Sequence, residues 1–318
     1  MPRYLLTRLA LMLPTLLGVA VATFLLLRVA PGDIAVLHLG GEGGIVTQED
    51  IQTERARFGL DRPLWVQFLD WTGGLAHGDL GRSMWTDRPV WTEVSIRLSL
   101  SVELAIMALA VSLAVALPLG ALSAVFRNSP LDYVVRIFSI GGLSIPAFWL
   151  GILIILFLLI LFRWSPPVTF TPLFTDPLAN FSQLIWPALA VGYRSAAVLA
   201  RMMRSTLLEI LREDYVRTAR AKGLRELVVV TRHASRNAVL PVVTLAGLEF
   251  ATLIGGLVVT EQVFNLNGLG KLLVDGISHR DYTMTQTLVM LTATVFLVSN
   301  LAVDIGYAWL DPRVRLGR

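Results

Sequence analysis

The sequence predicts an all-α protein that crosses a membrane several times, and three observations predict it. Of its 318 residues, 55% are apolar, where ordinary globular domains hold about 45–50%. Charged residues make up 16%, where a soluble domain carries about 25%. The apolar residues also fall into runs of about 20, the length a helix needs to cross a hydrocarbon core about 30 Å thick. A mean hydropathy of +0.66 agrees. This composition argues against a disordered chain and against a soluble enzyme. Cysteine is absent, so the chain has no disulfide framework, no thiolate metal site and no cysteine nucleophile.

Six spans are expected. The first runs from Leu9 to Val29, preceded by Arg3 and Arg8 and closed by Arg28. A secretory leader is the rival reading, because Ala20-Val21-Ala22 matches a small-residue cleavage pattern. The apolar run continues through Phe24 and Leu27, beyond the length of about 7–15 residues in a leader, so an uncleaved span is expected. The others are residues 99–125, 137–162, 184–203, 238–260 and 285–309. Arg194 lies inside the fourth and makes it the weakest. The organisation expected is therefore an N-terminal span in 1–30, an outer segment in 31–97, a membrane core in 98–309 and a tail in 310–318.

Basic residues set the orientation, because they concentrate in the cytoplasmic loops. Arg127 and Arg136, the run from Arg201 to Arg236, and Arg313, Arg315 and Arg318 fall on one side with Arg3 and Arg8. The two short loops opposite hold only Arg163, Lys271 and Arg280. Both termini are expected inside. The pI of about 9.7 reflects this bias. Nucleic acid is not an expected partner, since the basic loop is tied to membrane spans at both ends.

The outer segment carries helix signals. Thr47 is an N-cap with Glu49 and Asp50 in the first turn, and Gly59 is a C-cap. Pro63 opens a second helix that puts Leu64, Phe68 and Trp71 on one face, with Trp65 beside them as interfacial anchors lie. Gly73-Gly74 and Gly78 are expected to break it. A cap over the bundle and a docking surface for an outside partner fit this segment equally.

The loop between the fourth and fifth spans is the most informative. Asp214 is expected to cap a short helix that Gly223 ends in a left-handed conformation. Thr218, Ala219 and Ala221 are small and leave room for close approach by another protein. Arg217, Arg220 and Lys222 surround them with positive charge, and Tyr215 begins the turn. A rigid helix tied between two spans can carry motion from a partner into the bundle. A solvated basic loop fits the spacing as well.

Ionisable residues inside a membrane are costly and are functional candidates. Arg194 and Glu249 each lie about halfway along antiparallel spans, so they either pair or line a wet path. Glu103 lies nearer the outer end of its span, within reach of the headgroups. No catalytic constellation is present. Gly268-Leu269-Gly270-Lys271 resembles a phosphate-binding loop only superficially, since Asn265 and Leu272 occupy the positions of its first glycine and its hydroxyl. His38, His77, His233 and His279 fall in separate segments with no metal-ligand spacing.

The run Asp214–Gly223 with His233–Pro241 resembles the coupling loop of ABC importer permeases, nearest to the first-subunit type of the dipeptide, oligopeptide and nickel family. Further resemblances follow in order along nearly the whole chain: Arg28–Asp33, Gly59–Pro63 with Gly78–Ser83, Leu143–Gly151, Glu261–Phe264 with Gly268–Gly270, and Asp311–Arg315. Arg217-Thr218-Ala219 stand where the general pattern has Glu-Ala-Ala, a form common in this family, and Ser235 and Arg236 replace its Leu-Pro.

The resemblance implies a type I importer permease of six transmembrane helices with a small helical extracytoplasmic segment between helices 1 and 2, in a bacterial inner membrane. It implies a second permease chain, two ATPase subunits that hold ATP and magnesium, and an outer solute-binding protein. This chain would hold no cofactor or metal of its own and would contact membrane lipid. Peptides are the expected solute, with nickel chelates and glutathione as alternatives within the family. A proton-coupled carrier using Glu249 and Glu103 as relay acids is the alternative of another class, and a membrane scaffold without transport is a further one.

Overall fold

The computed structural model of the protein describes residues 2–29, 32, 34–40, 47–167 and 169–310. Ala30, Pro31 and Asp33, and the tail resemblance at Asp311–Arg315, lie outside the described residues. Among the described residues the regular structure is helical, with only an isolated Arg82–Pro89 bridge. The chain forms two compact units. One combines Met1–Ser99 with Asn267–Leu297, and the other combines Leu100–Leu266 with Val298–Arg318.

In the first unit, α1 (Pro2–Val29), α2 (Ile34–Gly40), α3 (Gln48–Arg57) and α4 (Leu64–Ala76) precede the start of α5 (Val90–Val125). Thr47 caps α3 as expected: its hydroxyl accepts from the Asp50 amide at 3.3 Å, and the Asp50 carboxylate accepts from the Thr47 amide at 3.0 Å. Gly59, at φ +66°, follows the helix end. The α4 helix sets the half-buried Phe68 and Trp71 against α1, with Phe24 5.3 Å from Phe68 and 6.3 Å from Trp71 between ring centroids. Contrary to expectation, Gly73 and Gly74 lie inside α4 and do not break it. The turn comes at Gly78, whose φ of +79° is the one the chain needs there.

The unit closes through α13 (Leu269–Ser278) and the start of α14 (Tyr282–Leu310). The buried Asp281 carboxylate ties these parts together. It accepts from the Ser83 hydroxyl and from the amides of Met84 at 3.1 Å and Trp85 at 3.4 Å, and it caps α14 through the Met284 amide at 3.0 Å. Val90, Val94, Leu272, Met284 and Leu288 form the small core of this unit.

The second unit contains the rest of α5, then α6 (Pro130–Ser144), α7 (Ala147–Phe162), α8 (Pro177–Ile210), α9 (Asp214–Ala221), α10 (Glu226–Val228), a π-helical turn (Val229–Ala234), α11 (Ser235–Gly256) and α12 (Val258–Val263). Two continuous apolar cores hold it. One gathers Leu199, Met203 and Leu207 of α8 with Val216, Val229, Ala238 and Val242. The other gathers Leu100, Leu104 and Ala108 of α5 with Leu184, Val191, Leu257 and Phe264. Small residues bring the helices close. A side chain at Gly192 would place its Cβ 2.8 Å from the Ala108 carbonyl oxygen, and one at Gly142 would fall 2.6 Å from the Ala197 methyl.

Four described helical stretches are long and apolar enough to cross a membrane: Thr7–Val29, Val90–Val125, Glu226–Gly256 and Tyr282–Val303. Several expected limits change. The 137–162 span is not continuous: α6 and α7 meet at an angle of 107°, and counted as one bent span they bring the total to five. The break falls at Ile145-Pro146, where both residues are extended. A residue before proline is driven out of the helical region, which gives the physical reason.

The expected 184–203 span sits inside α8, which is 34 residues long and starts at a cap where Asp176 accepts from the Leu178 and Ala179 amides at 3.1 and 3.0 Å. Arg194, Arg201 and Arg204 keep α8 out of the strongly apolar class, yet Leu184, Ala188, Ala190, Ala197 and Leu199 are buried. Its apolar face packs on protein. The 238–260 span ends at Gly256, and α12 follows as a separate helix.

Candidate functional site

The α9 helix and its supports lie wholly in the second unit. Two of its residues fix it. Val216 is fully buried and Ala219 is 6% exposed, three residues apart on one face, and both join the core of α8 and α11. The opposite face is open: Asp214, Tyr215, Arg217, Thr218, Ala221, Lys222 and Gly223 are exposed. A short helix is marginal alone, so this apolar anchoring and the contacts at its ends hold it.

Those end contacts are specific. The Tyr215 hydroxyl accepts from the Asn237 amide nitrogen at 2.9 Å, which links the first turn to the start of α11. Arg220 grips Glu226 with two donors, Nε at 3.0 Å and Nη2 at 2.7 Å, and its Nη1 donates to the Leu211 carbonyl at 3.3 Å. The guanidinium holds the Glu226 carboxyl below the usual carboxylate range, and the carboxylate raises the Arg220 pKa in turn. Gly223, at φ +77°, makes the turn after the helix, and a Cβ there would meet nothing within 4 Å.

Three details depart from the sequence reading. Asp214 is the first helical residue and not the cap; Glu213 is the cap and makes no side-chain capping bond. Asp214 instead faces Arg217 at 3.4 Å on the surface. Ala219 is small because its own chain packs over it, so it does not offer space to another protein. Arg220 is paired to Glu226 at 2.7 Å and Arg217 more loosely to Asp214 at 3.4 Å on the exposed face, so the positive field comes from Lys222 together with the weakly paired Arg217.

In the same unit the sequence reading missed a buried ion pair. Asp132, at the start of α6, is fully buried. Its carboxylate receives Arg204 Nε and Nη2, each at 2.8 Å, the Ser123 hydroxyl at 2.5 Å and the Asn128 amide at 3.0 Å. One carboxylate thus joins the end of α5, the start of α6 and the last third of α8. The signal was present: Ser129-Pro130-Leu131-Asp132 has the spacing of a helix cap, and Ser129 Oγ accepts from the Asp132 amide at 3.3 Å.

The intramembrane candidates separate. Among the described residues no ion pair joins Arg194 to Glu249. Glu249 accepts from the Ser195 hydroxyl at 2.7 Å, while Arg194, one residue earlier and so about 100° round the helix, is exposed. The direct pair is therefore not formed. Glu103 accepts from Asn180 Nδ2 at 2.6 Å, so it ties α5 to α8. A further carboxylate, Glu261, is fully buried and accepts from Ser101 at 2.7 Å, again between α5 and the end of the α11–α12 run. No group of three or more metal-ligating side chains occurs among the described residues.

Comparison with known proteins decides the family. Residues 116–316 match the family described as "Binding-protein-dependent transport system inner membrane component", and residues 1–105 match its N-terminal companion. The chain belongs to this family. It is 38% identical to the dipeptide transport system permease protein DppB of Escherichia coli K12, over 99% of both chains. It is 39% identical to the di/tripeptide transport system permease protein DppB of Pseudomonas aeruginosa, over 97% of both. Membership makes the chain an inner-membrane component of a binding-protein-dependent transport system, which accounts for a helical bundle that displays one short tethered helix.

Proposed function

We propose that this chain is one of two permease subunits of an ABC importer for peptides, and that α9 is the helix through which separate ATPase subunits drive it. One observation carries the proposal. A short cationic helix is exposed on one face and welded on the other into the core of α8 and α11. Such an element, open on one side and packed into the bundle on the other, is built to pass a push inward. Full-length similarity to two peptide permeases supports the solute class.

On this reading both termini and α9 face the cytoplasm, and the outer segment faces a solute-binding protein. The described helices are completed to six spans by α8. ATP and magnesium bind the ATPase subunits, and no covalent step occurs on this chain. Closure of the ATPases around ATP would shift α9, with α8 and α11 following as packed neighbours, so that access alternates between the two faces. Glu249 with Ser195, and the exposed Arg194, are candidates for the wall of the path.

Gentle extraction of the chain from its native membrane, with mass spectrometry of what accompanies it, tests this. A Walker-type ATPase and a second permease should co-purify. Recovery of the chain alone in good yield would overturn the proposal and bring forward an ATPase-free carrier.

A further inference from the structure

The first unit contains a cavity of about 330 Å³ between the end of α1, the α3–α4 turn and the start of α14. That volume is in the range of small-molecule sites, about 300–1,000 Å³. Three residues lining it carry a buried nitrogen with no hydrogen-bond partner: Arg28 Nη1, Trp71 Nε1 and Gln286 Nε2. The Gln286 side chain is in a residue only 3% exposed.

An orphaned buried donor costs about 1–3 kcal/mol, and native proteins seldom leave them. Three around one cavity is a concentration that calls for acceptors. The guanidinium and the indole N–H can only donate, whereas the Gln286 amide can turn either end inward. Arg28 is firmly held. Its other nitrogens donate to Gln67 Oε1 at 3.1 and 2.9 Å, and its guanidinium carbon sits 4.8 Å from the Phe24 ring centroid and 4.4 Å from that of Tyr282. Arg57, paired to Glu54 at 3.0 Å, and Arg62, paired to Asp70 at 3.1 Å, also line the cavity with Asp79. Among the described residues Arg28 is therefore the lining cation with no carboxylate partner, and the two aspartates are acceptors for a cationic group.

We propose that this cavity is a binding site for a small carboxylate-bearing solute. The carboxylate takes the free donors of Arg28, Trp71 and Gln286. These nitrogens are shielded from solvent, so the guest engages them through small shifts of Trp71 and Gln286 beside an Arg28 guanidinium that Gln67 keeps in place. The site stands on these residues alone and does not depend on which solute crosses the membrane.

The test is calorimetric titration of the full chain, purified with its co-extracted subunits and without any binding protein. The probes are dialanine, dialanine amide and inorganic phosphate. Dialanine should bind saturably, and the amide at least about tenfold more weakly, the loss of one charge-assisted hydrogen bond. Gln286→Leu and Trp71→Phe should each weaken dialanine by about tenfold or more. The melting temperature should hold or rise in Gln286→Leu, which removes an orphaned donor at similar volume, whereas Trp71→Phe also trims ring contacts with Phe24 and Phe68 and should melt somewhat lower. Absence of saturable dialanine binding overturns the proposal. So does equal binding of the amide, or phosphate binding that matches dialanine, which would mark a general anion or lipid-phosphate site. Unchanged affinity in both variants would overturn it as well.

Discussion

The Arg204 guanidinium meets both oxygens of Asp132 at 2.8 Å, in a carboxylate site closed to solvent. This is the bidentate geometry that makes arginine irreplaceable by lysine. The pair pins α5, α6 and α8 to one another, and α8 also carries part of the core that holds α9.

Breaking that pair should cost about 3 kcal/mol, the low end for a buried pair because Arg204 is 24% exposed on its side chain. Arg204→Ala strands a carboxylate with only Ser123 and the Asn128 amide for company. Thermal unfolding in detergent should show a clear drop for Arg204→Ala and for Arg204→Lys. A drop in the alanine variant alone would mean that charge matters and the fork does not.

Gly192→Val should be among the most damaging single changes. Its Cβ would lie 2.8 Å from the Ala108 carbonyl oxygen and 3.0 Å from the Ser112 hydroxyl, and Ser112 itself donates to the Gly192 carbonyl at 2.8 Å. Overpacking of this kind costs about 1–3 kcal/mol. Yield and melting temperature measure it, with Gly256→Val as the control, since a Cβ at Gly256 meets nothing within 4 Å.

Arg217→Glu with Lys222→Glu should abolish uptake without unfolding the chain. Both side chains are exposed, and exposed substitutions usually change stability by less than about 0.5 kcal/mol. Uptake and ATPase stimulation should fall together while membrane insertion is unchanged. Gly223→Trp should abolish uptake as well, through bulk on the docking face together with strain at a φ of +77°, so Gly223→Ala, which adds the strain without the bulk, is its control. Ala219→Trp, by contrast, should lower stability itself, because Ala219 is inside the core.

The α9 support should loosen in acid. Arg220 depresses the Glu226 pKa, so the folded loop binds fewer protons than the unfolded one at acid pH. The stabilisation is therefore complete above the ordinary carboxylate range, and it is lost as pH falls through the lowered value of Glu226. Exchange protection of the α9 amides, corrected for the pH dependence of intrinsic exchange, should hold from pH 7 to about 4 and fall below that. Glu226→Gln should remove the step, and a step that survives in this variant would assign it to another group.

Swapping the charges of Arg194 and Glu249 should rescue nothing. Glu249 is bonded to Ser195 and not to Arg194, so the double swap should be at least as impaired as the worse single variant. Glu249→Gln keeps an acceptor for Ser195 and should preserve folding; a fall in uptake with folding intact would then place Glu249 on the solute path.

What could be read from the sequence follows from how local each signal is. The helix at Asp214–Gly223 is written in adjacent residues, and so is the Thr47 cap, because both depend on contacts within one turn. The bend at Ile145-Pro146 was signalled by the proline, yet its size depends on what α6 and α7 pack against. The Asp132–Arg204 pair joins residues 72 apart, and the Asp281 grip on Met84 joins residues 197 apart. No spacing rule reaches such distances. The arginines marked 184–203 as the weakest span, and α8 is indeed not among the stretches apolar enough to cross, but composition could not show that its small residues meet protein. Ala219 misled, since a small side chain fits equally a docking surface and a tight core.

The anchoring of α9 has a mechanical consequence. Val216 and Ala219 share one close-packed core with Leu207, Val229 and Ala238, and such a core resists being pulled apart. Drawing a face of about 100 Å² away by about 1 Å opens a void of about 100 Å³, which costs about 2 kcal/mol at about 24 cal/mol per Å³. Translating the neighbouring helices as a block opens no void. The join therefore behaves as a stiff spring between the docking face and the bundle, and small strokes at one end arrive at the other with little slack.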